Sequence, residues 1–581
     1  MAFLRNLLAT ILGLFIFFFL GFFMLIGIIA AAGQDEKPTV EENSVLSLKL
    51  SGVLQERSVD DPFEEIFSDY AVRAHGLTDI LESIQFAQND PKIKGIYLEP
   101  QFFSGGFASL QEVHAALVDF KSSGKFIYAY GEYLTEGDYY LASVADSLIL
   151  NPEGSLEFNG LSINITFWKG LFDKLGVEPQ IFRVGEFKSY VEPFQQQKMS
   201  EANRLQLTEL LKSVYSYYLE NVSIARAISV DKLAEVSDNM LVQLPQDAVT
   251  HGLVDRLGYK DEIMSIIMSE TGDKDVDDVN FISYRKYKKA ISSEYSANKI
   301  AVIVAQGDIV MAGDDNSIVG SKIASEIRKA RESSSIKAIV LRVNSPGGSL
   351  TASDIIWREV QMTKGVKPII ASMSDLAASG GYYISMACDS IVAQPNTITG
   401  SIGIFGMMFN LDPFLKQKLG ITHDVVKTGD YSDIMTVTRD LSDFERSIIQ
   451  KGVNKGYETF ISKVAAGRGM EVEDVKKVAS GRVWSGKQAK ENGLVDVLGD
   501  MDDAVKIAAM KAGLTDDYRV SYYPRKQPFM QELLGKLSEE VKLAIGGPEL
   551  EITEPYIEEF KKLYRMQGVQ ARLPYELTNG N

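Results

Sequence analysis

The chain alternates between short, uniformly apolar runs and longer stretches in which apolar residues recur every three or four positions. Residues 299–305 (KIAVIVA), 338–343 (AIVLRV) and 368–373 (PIIASM) are of strand length and rich in apolar, mostly β-branched side chains, which predicts strands buried on both faces. Residues 321–333 and 352–363 lie between them with helical spacing, so one face of each is expected to cover the sheet. An order of strand, helix, strand, helix with fully buried strands implies a layered α/β domain. The same order occurs earlier, with strands predicted over residues 44–50, 95–99 and 125–130.

That earlier occurrence is one half of an internal duplication. KGIYL from Lys94 corresponds to KAIVL from Lys337, and YYLASVADSLILNP from Tyr139 to YYISMACDSIVAQP from Tyr382, each pair 243 residues apart. GLVDRLG from Gly252 returns as GLVDVLG from Gly493, 241 residues on. Three nearly equal offsets imply two copies of one unit in tandem, the first over residues 41–298 and the second over 299–522, joined through a polar stretch at 292–298. Residues 523–581 form a charged tail, read as helical and as a solvated or subunit-packing appendage.

Residues 1–40 stand apart from both copies. Residues 7–32 are uncharged and almost wholly apolar, long enough to cross a hydrocarbon core, which predicts a membrane anchor. Arg5 before this run, with Asp35 and Glu36 after it, places the N-terminus in the cytoplasm and the bulk of the chain outside. A cleaved secretory signal is the rival reading, since Ala30, Ala31 and Ala32 are small, but the apolar run exceeds a signal's usual core. The net charge of -18 leaves no basic footprint and argues against a nucleic-acid partner. Cys388 is the single cysteine, so no intrachain disulfide forms, and His75, His114, His251 and His423 lack zinc-type spacing. Neither metal nor cofactor is expected.

Three segments carry candidate chemistry. RVNSPGGSL, residues 342–350, follows a predicted buried strand, and its Pro-Gly-Gly forces a tight turn with free backbone N–H groups suited to a developing oxyanion. Taken alone, an ordinary strand-to-helix turn is the better explanation. In MSDLAASGGYYISMA, residues 373–387, Ser379 stands where a strand ends and an apolar helix opens, the position of an exposed nucleophile or of a helix cap. A serine needs a base, and no histidine recurs near either glycine motif. Lys188, flanked by Phe187, Tyr190 and Phe194, is the lysine best placed for the desolvation that a general base requires, against the alternative of a snorkelling surface lysine. Aligning the copies puts Glu136 opposite Ser379 and Ser432 opposite Lys188, so the losses are complementary. One dyad is expected, from the first copy's lysine and the second copy's serine.

Together RVNSPGG, AASGGYY (377–383), TGSIGIFG (399–406), VGEFKSYVEPF (184–194), both GLVDxLG blocks and the N-terminal apolar run resemble the long, tandem form of the bacterial signal peptide peptidase A family. The resemblance implies a duplicated Clp protease/crotonase-like α/β fold (ββα superhelix), with Ser379 as nucleophile, Lys188 as base and Ser401 orienting the lysine. Oxyanion donors are implied at the N–H groups of Gly380 and of Gly347 or Gly348, with Gly347 favoured. It further implies no cofactor, a homo-oligomer expected to be a tetramer, and substrates that are hydrophobic signal peptides left in the membrane after precursor cleavage. The location implied is the bacterial inner membrane, with catalytic units on the periplasmic side and the bilayer as a partner. A catalytically idle membrane scaffold and a crotonase-like acyl-CoA enzyme are the competing readings, and the retained Ser379, Lys188 and Ser401 argue against the first. For the tail, an alternative is that ARLPYEL (571–577) occupies, or is trimmed by, the chain's own site.

Overall fold

The computed structural model describes residues 5–7, 9–10, 12–21, 38–58, 74–291, 296–314, 316–525 and 568–572. Each copy is built on a sheet that is parallel except at one edge of the second. In the first, the spatial order is Ala74–Gly76, Ser44–Gln55, Ile93–Ser104, Phe126–Leu134, Ser147–Leu156 and Arg256–Leu257, with Phe281–Ser283 also pairing on Ser44–Gln55. The second has Lys299–Gln306, Ile336–Ser345 and Ile369–Ala378 at its centre, Arg519–Tyr523 on one side, and Ser390–Ala393 and Ile398–Gly400 on the other. Val483–Ser485 closes that edge antiparallel.

Successive residues of a strand face opposite sides, and the uniform apolar runs supply both. Ile339, Leu341 and Val343 enter one core with Ile323 and Ile327 of helix Gly320–Glu332 and Ile356 and Val360 of helix Leu350–Thr363. Ala338 and Val340 enter the other, covered by Ala504, Val505 and Ala508 of helix Met501–Lys511. Every predicted strand lies where a strand is found, and the observed ones run further because the pairing continues past the apolar stretch.

The repeated sequence blocks make the same contacts in both copies. Tyr139 donates its hydroxyl to the Leu253 carbonyl at 3.0 Å, and Tyr382 does so to Leu494 at 3.0 Å. Asp255 accepts from the Leu148 N–H at 2.7 Å, as Asp496 does from Ile391 at 2.7 Å. The conserved letters of GLVDxLG and of the Tyr pair therefore fasten one piece of each unit to another.

A buried polar seam joins the copies. Arg342, on the second copy's central strand, donates to Glu56 and Glu112 of the first at 2.8 Å each, and to Ser372 and Ser374 at 3.0 and 3.1 Å. Burial works against the Arg342 charge, but the Glu112 and Glu56 carboxylates more than restore it. Burial likewise pushes the Glu112 carboxyl up to about 7 against the pull of Arg342. Beside this network, Leu207, Leu210 and Val214 of helix Glu201–Arg226 pack on Ala378, Ile398 and Val483.

A third sheet draws on both copies, in the order Ile318–Val319, Ile309–Val310, Gly347–Ser349, Gly568–Arg572, Ile404–Asn410 and Glu178–Val184. Its strand Gly568–Arg572 corrects the expectation of a wholly helical tail: the backbone edges of Gly347–Ser349 and Ile404–Asn410 offer that segment hydrogen bonds on both sides. Residues 526–567 and 573–581 lie outside the described residues, as does much of the apolar run 7–32 and of the 292–298 stretch. The described part of the apolar run is helical with exposed Leu12, Phe15, Phe17 and Phe18. Among the described residues no helix is long and apolar enough to cross a membrane.

Candidate active site

Ser379 closes strand Ile369–Ala378 and precedes the short helix Gly380–Ser385. Its backbone is at φ +55°, ψ −109°, a conformation that L-residues avoid and that surrounding contacts must hold at a cost of about 1–3 kcal/mol. The contacts are an N–H donated to the Gly400 carbonyl at 2.8 Å and a carbonyl accepting from the Tyr383 N–H at 2.9 Å. The side chain makes no capping hydrogen bond, so the cap reading fails. The turn can be this sharp because its neighbours are glycines: a Cβ on Gly380 would stand 3.0 Å from the Gly348 nitrogen, and one on Gly381 2.7 Å from the Ser345 carbonyl oxygen.

Lys188 follows strand Glu178–Val184, which pairs along its whole length with Ile404–Asn410 of the second copy. That register carries the lysine across to the other copy's serine. Its Nζ lies 2.8 Å from Ser379 Oγ, 3.0 Å from Ser401 Oγ and 3.2 Å from the Ser401 carbonyl oxygen. All three residues are fully buried, which excludes the snorkelling reading. Burial alone holds the Lys188 amine well below the usual lysine range, with no carboxylate among the described residues offsetting it. Lys188, Ser379 and Ser401 thus meet within one chain.

The Pro-Gly-Gly turn lies against this group. Gly347 donates its N–H to Ser345 Oγ at 3.1 Å, whereas the Gly348 nitrogen lies 3.0 Å from where a Cβ on Gly380 would stand. A Cβ on Gly348 would fall 2.1 Å from the Ile309 carbonyl oxygen, so only glycine fits. A buried hydroxyl in contact with an amine whose charged form burial disfavours, beside backbone N–H groups, is equipped for acyl transfer through a serine ester.

Three residues of the site escaped the sequence reading. A Cβ on Gly481 would lie 2.6 Å from the Lys188 nitrogen and 2.7 Å from its Cα, and one on Gly403 3.2 Å from its Cδ. Both glycines are the space the lysine stem occupies. Gln206 staples the same segment, donating to the Phe187 carbonyl at 3.1 Å and Ser189 Oγ at 2.9 Å while accepting from the Val483 N–H at 3.3 Å. Gly403 stood within TGSIGIFG; for Gly481 and Gln206 no local pattern signals the contact, which exists only after folding.

In the first copy the corresponding place is filled by carboxylates. Glu136, opposite Ser379 in the alignment, accepts from the Asn159 and Gly160 N–H groups at 2.9 and 2.7 Å. Burial pushes its carboxyl up to about 7 against the pull of those two donors. Asp138 accepts from Phe102 and Phe103 N–H at 3.0 Å each, at the end of the matching strand Ile93–Ser104. Both carboxylates are thereby engaged by backbone N–H groups of the first copy itself.

Known proteins resemble this sequence. The profile of "Peptidase family S49" matches residues 119–273 and 361–515, once in each copy, and that of "Clp protease" matches residues 292–399. "Protease 4" of Salmonella typhi is 35% identical over 587 residues, covering 96% of this chain and 94% of its own. "Serine protease SPPA, chloroplastic" of Arabidopsis thaliana is 32% identical, covering 92% of this chain and 78% of its own. "Putative signal peptide peptidase SppA" of Enterococcus faecium is 35% identical over 246 residues, 41% of this chain and 71% of its own.

Proposed function

The chain belongs to peptidase family S49 and is a serine peptidase, and from that premise we propose that Ser379 is its nucleophile and Lys188 its general base. One observation carries the proposal: the 2.8 Å contact between Lys188 Nζ and Ser379 Oγ, two fully buried side chains from opposite copies. A neutral amine has two N–H groups and one lone pair. The N–H groups suit the Ser401 hydroxyl and carbonyl oxygens, which leaves the lone pair for the Ser379 proton. Ser379 Oγ then attacks the scissile carbonyl, Lys188 carries the proton to the leaving amine, and a water deprotonated by the same amine releases the acyl group. Oxyanion donors are assigned to the N–H groups of Gly380 and Gly348, in preference to the expected Gly347, because the Gly347 N–H is spent on Ser345. Each such donor is worth about 3 kcal/mol in the transition state.

The same reading makes the chain a membrane-anchored endopeptidase that degrades signal peptides remaining after precursor processing, on the outer side of a bacterial inner membrane. It is supported by the uncharged run 7–32, by the exposed apolar side chains of its described part, and by the name of the Enterococcus faecium relative. The duplication supports a closed homo-oligomer, and four chains is the number that the resemblance implies. Glu178–Val184 of the first copy pairs with Ile404–Asn410 of the second, and the counterparts of these strands 243 residues away are 421–427 and 161–167. Neither counterpart belongs to a described sheet, and Ile421, Val425 and Val426 are exposed. Pairing 421–427 of one chain on 161–167 of the next repeats the internal contact and closes a ring.

Hydrolysis of a quenched, hydrophobic signal-peptide-like substrate tests the proposal, with wild type compared to Ser379→Ala and Lys188→Ala across pH. Loss of turnover in both folded variants is expected, with wild-type activity rising along a basic limb; wild-type turnover in either variant would sink the assignment.

A further inference from the structure

Within the third sheet, Gly347–Ser349 and Ile404–Asn410 do not pair with each other. Gly568–Arg572 lies between them, antiparallel to both, with Gly347 opposite Arg572, Gly348 opposite Ala571, Phe405 opposite Gln570 and Gly406 opposite Val569. Neighbouring strands lie about 4.8 Å apart, so the two edges frame a slot about 10 Å across, the width of one extended peptide. One edge holds the glycines packed on Gly380, and the other begins three residues after Ser401. A strand in this slot therefore runs past Ser379.

Backbone pairing accepts any extended peptide, and side-chain subsites supply the choice among sequences. One side chain of the inserted strand is held in that way. The Arg572 guanidinium lies 2.8 Å from the Asp308 carboxylate, and its carbon stands 5.8 Å from the centroid of the Tyr190 ring. Asp308 precedes Ile309, which pairs with Gly348, so it belongs to the second copy's wall. Tyr190 lies two residues beyond Lys188 and stacks on Phe405 with centroids 5.1 Å apart, so it belongs to the first copy's wall. Acid and ring converge from opposite sides on one guanidinium, which is 13% exposed.

We propose that, within this slot, Asp308 and Tyr190 form a subsite for a basic side chain of an extended peptide, and that the chain's own Arg572 occupies it. Substrates are then extended peptides with an arginine, or less favourably a lysine, at this position. The planar guanidinium matches both a carboxylate and a ring face, whereas an ammonium is a point charge. The inference rests on the reading of Ser379 as the nucleophile.

The test uses the full chain and a small fluorophosphonate, whose phosphorus bonds to Ser379 Oγ with loss of fluoride. Peptides Gly-Val-Gln-Ala-X-Leu-Pro, with X as Arg, Leu or Glu, compete with this labelling. The Arg peptide is expected to protect at about tenfold lower concentration than the Leu peptide, the equivalent of ~1.4 kcal/mol, with the Glu peptide weakest. Asp308→Asn should erase the Arg advantage, and Asp308→Lys should reverse the order of Arg and Glu. Arg572→Glu should label several-fold faster without any peptide, because the resident strand is released. Equal protection by all three peptides, an unchanged order in both Asp308 variants, or Arg572→Glu labelling at the wild-type rate overturns the subsite while leaving the nucleophile intact. Failure of the probe to label wild type at all removes the reading of Ser379 and this inference with it.

Discussion

Replacing Lys188 with methionine should abolish hydrolysis and at the same time stabilise the protein at neutral pH. The Lys188 amine is fully buried and its proton affinity is depressed by that burial alone, whereas in the unfolded chain it titrates near its ordinary value of about 10.4. Between the folded and unfolded values the unfolded state binds the extra proton, so the stability of wild type rises with pH across that window. Below the window the lysine imposes its full penalty; above about 10.4 it imposes none. Methionine fills a similar volume and has no proton to bind, so the advantage of Lys188→Met shrinks by up to about 1.4 kcal/mol per pH unit through the window. Lost hydrogen bonds to Ser379 and Ser401 subtract about 1 kcal/mol, independent of pH. Unfolding transitions of both proteins, measured in parallel from pH 6 to 10.5, give the difference directly, because every other titrating group cancels. The pH at which that difference begins to fall must coincide with the mid-point of the basic limb of wild-type hydrolysis, because both report titration of the amine in the folded protein. A difference that stays constant over this range would mean the amine titrates normally in the folded protein, and the general-base argument would fail.

Other perturbations test the supports of the site. Gly481→Ala puts a Cβ 2.6 Å from the Lys188 nitrogen at a φ of +83°, and displacing the lysine by about 1 Å should lower kcat by about 100-fold with KM little changed; a loss under threefold counts against the role. Arg342→Met leaves Glu56 and Glu112 buried without their cation, and thermal unfolding should report a loss of about 3–5 kcal/mol that adding Glu56→Gln and Glu112→Gln partly restores. Val425→Pro removes a backbone donor from an exposed stretch, so light scattering should show smaller particles while circular dichroism is unchanged; intact oligomers would refute pairing through 421–427.

The sequence was most informative where one residue type has few uses. Uniform apolar runs such as KIAVIVA can sit only in a strand covered on both faces, and Lys299–Gln306 is such a strand. The duplication offset reached further, because it paired Ser379 with Glu136 and Lys188 with Ser432 and so left one lysine and one serine to meet. Contacts between distant segments were not legible. Gly481 lies 293 positions beyond Lys188, and its missing side chain matters only because the backbone of residue 188 passes there. Arg342 read as part of a glycine motif, yet its guanidinium belongs to the seam between copies. The tail was misjudged for a similar reason: GVQAR has no strong strand pattern, and two edges elsewhere in the chain make it a strand.

Complementary loss in the two copies has a structural logic that goes beyond the absence of one residue on each side. In the first copy, Glu136 and Asp138 consume backbone donors in the region that corresponds to Ser379, so a serine at 136 alone would still leave Asp138 bound to the Phe102 and Phe103 N–H groups. In the second, the stretch that corresponds to the lysine segment is tied down by ion pairs of Asp433 with Lys427 at 2.6 Å and Arg439 at 2.7 Å, and it is largely exposed. A lysine placed at 432 would be hydrated there and hold its proton. Desolvation of Lys188 depends on the second copy's own residues, Gly403, Gly481 and Ser401, and the sharp turn at Ser379 depends on Gly347 and Gly348. The second copy therefore supplies the surroundings of both side chains and the first supplies the lysine that enters them, so the pair of copies, rather than either one, is the unit that holds a desolvated lysine against a serine.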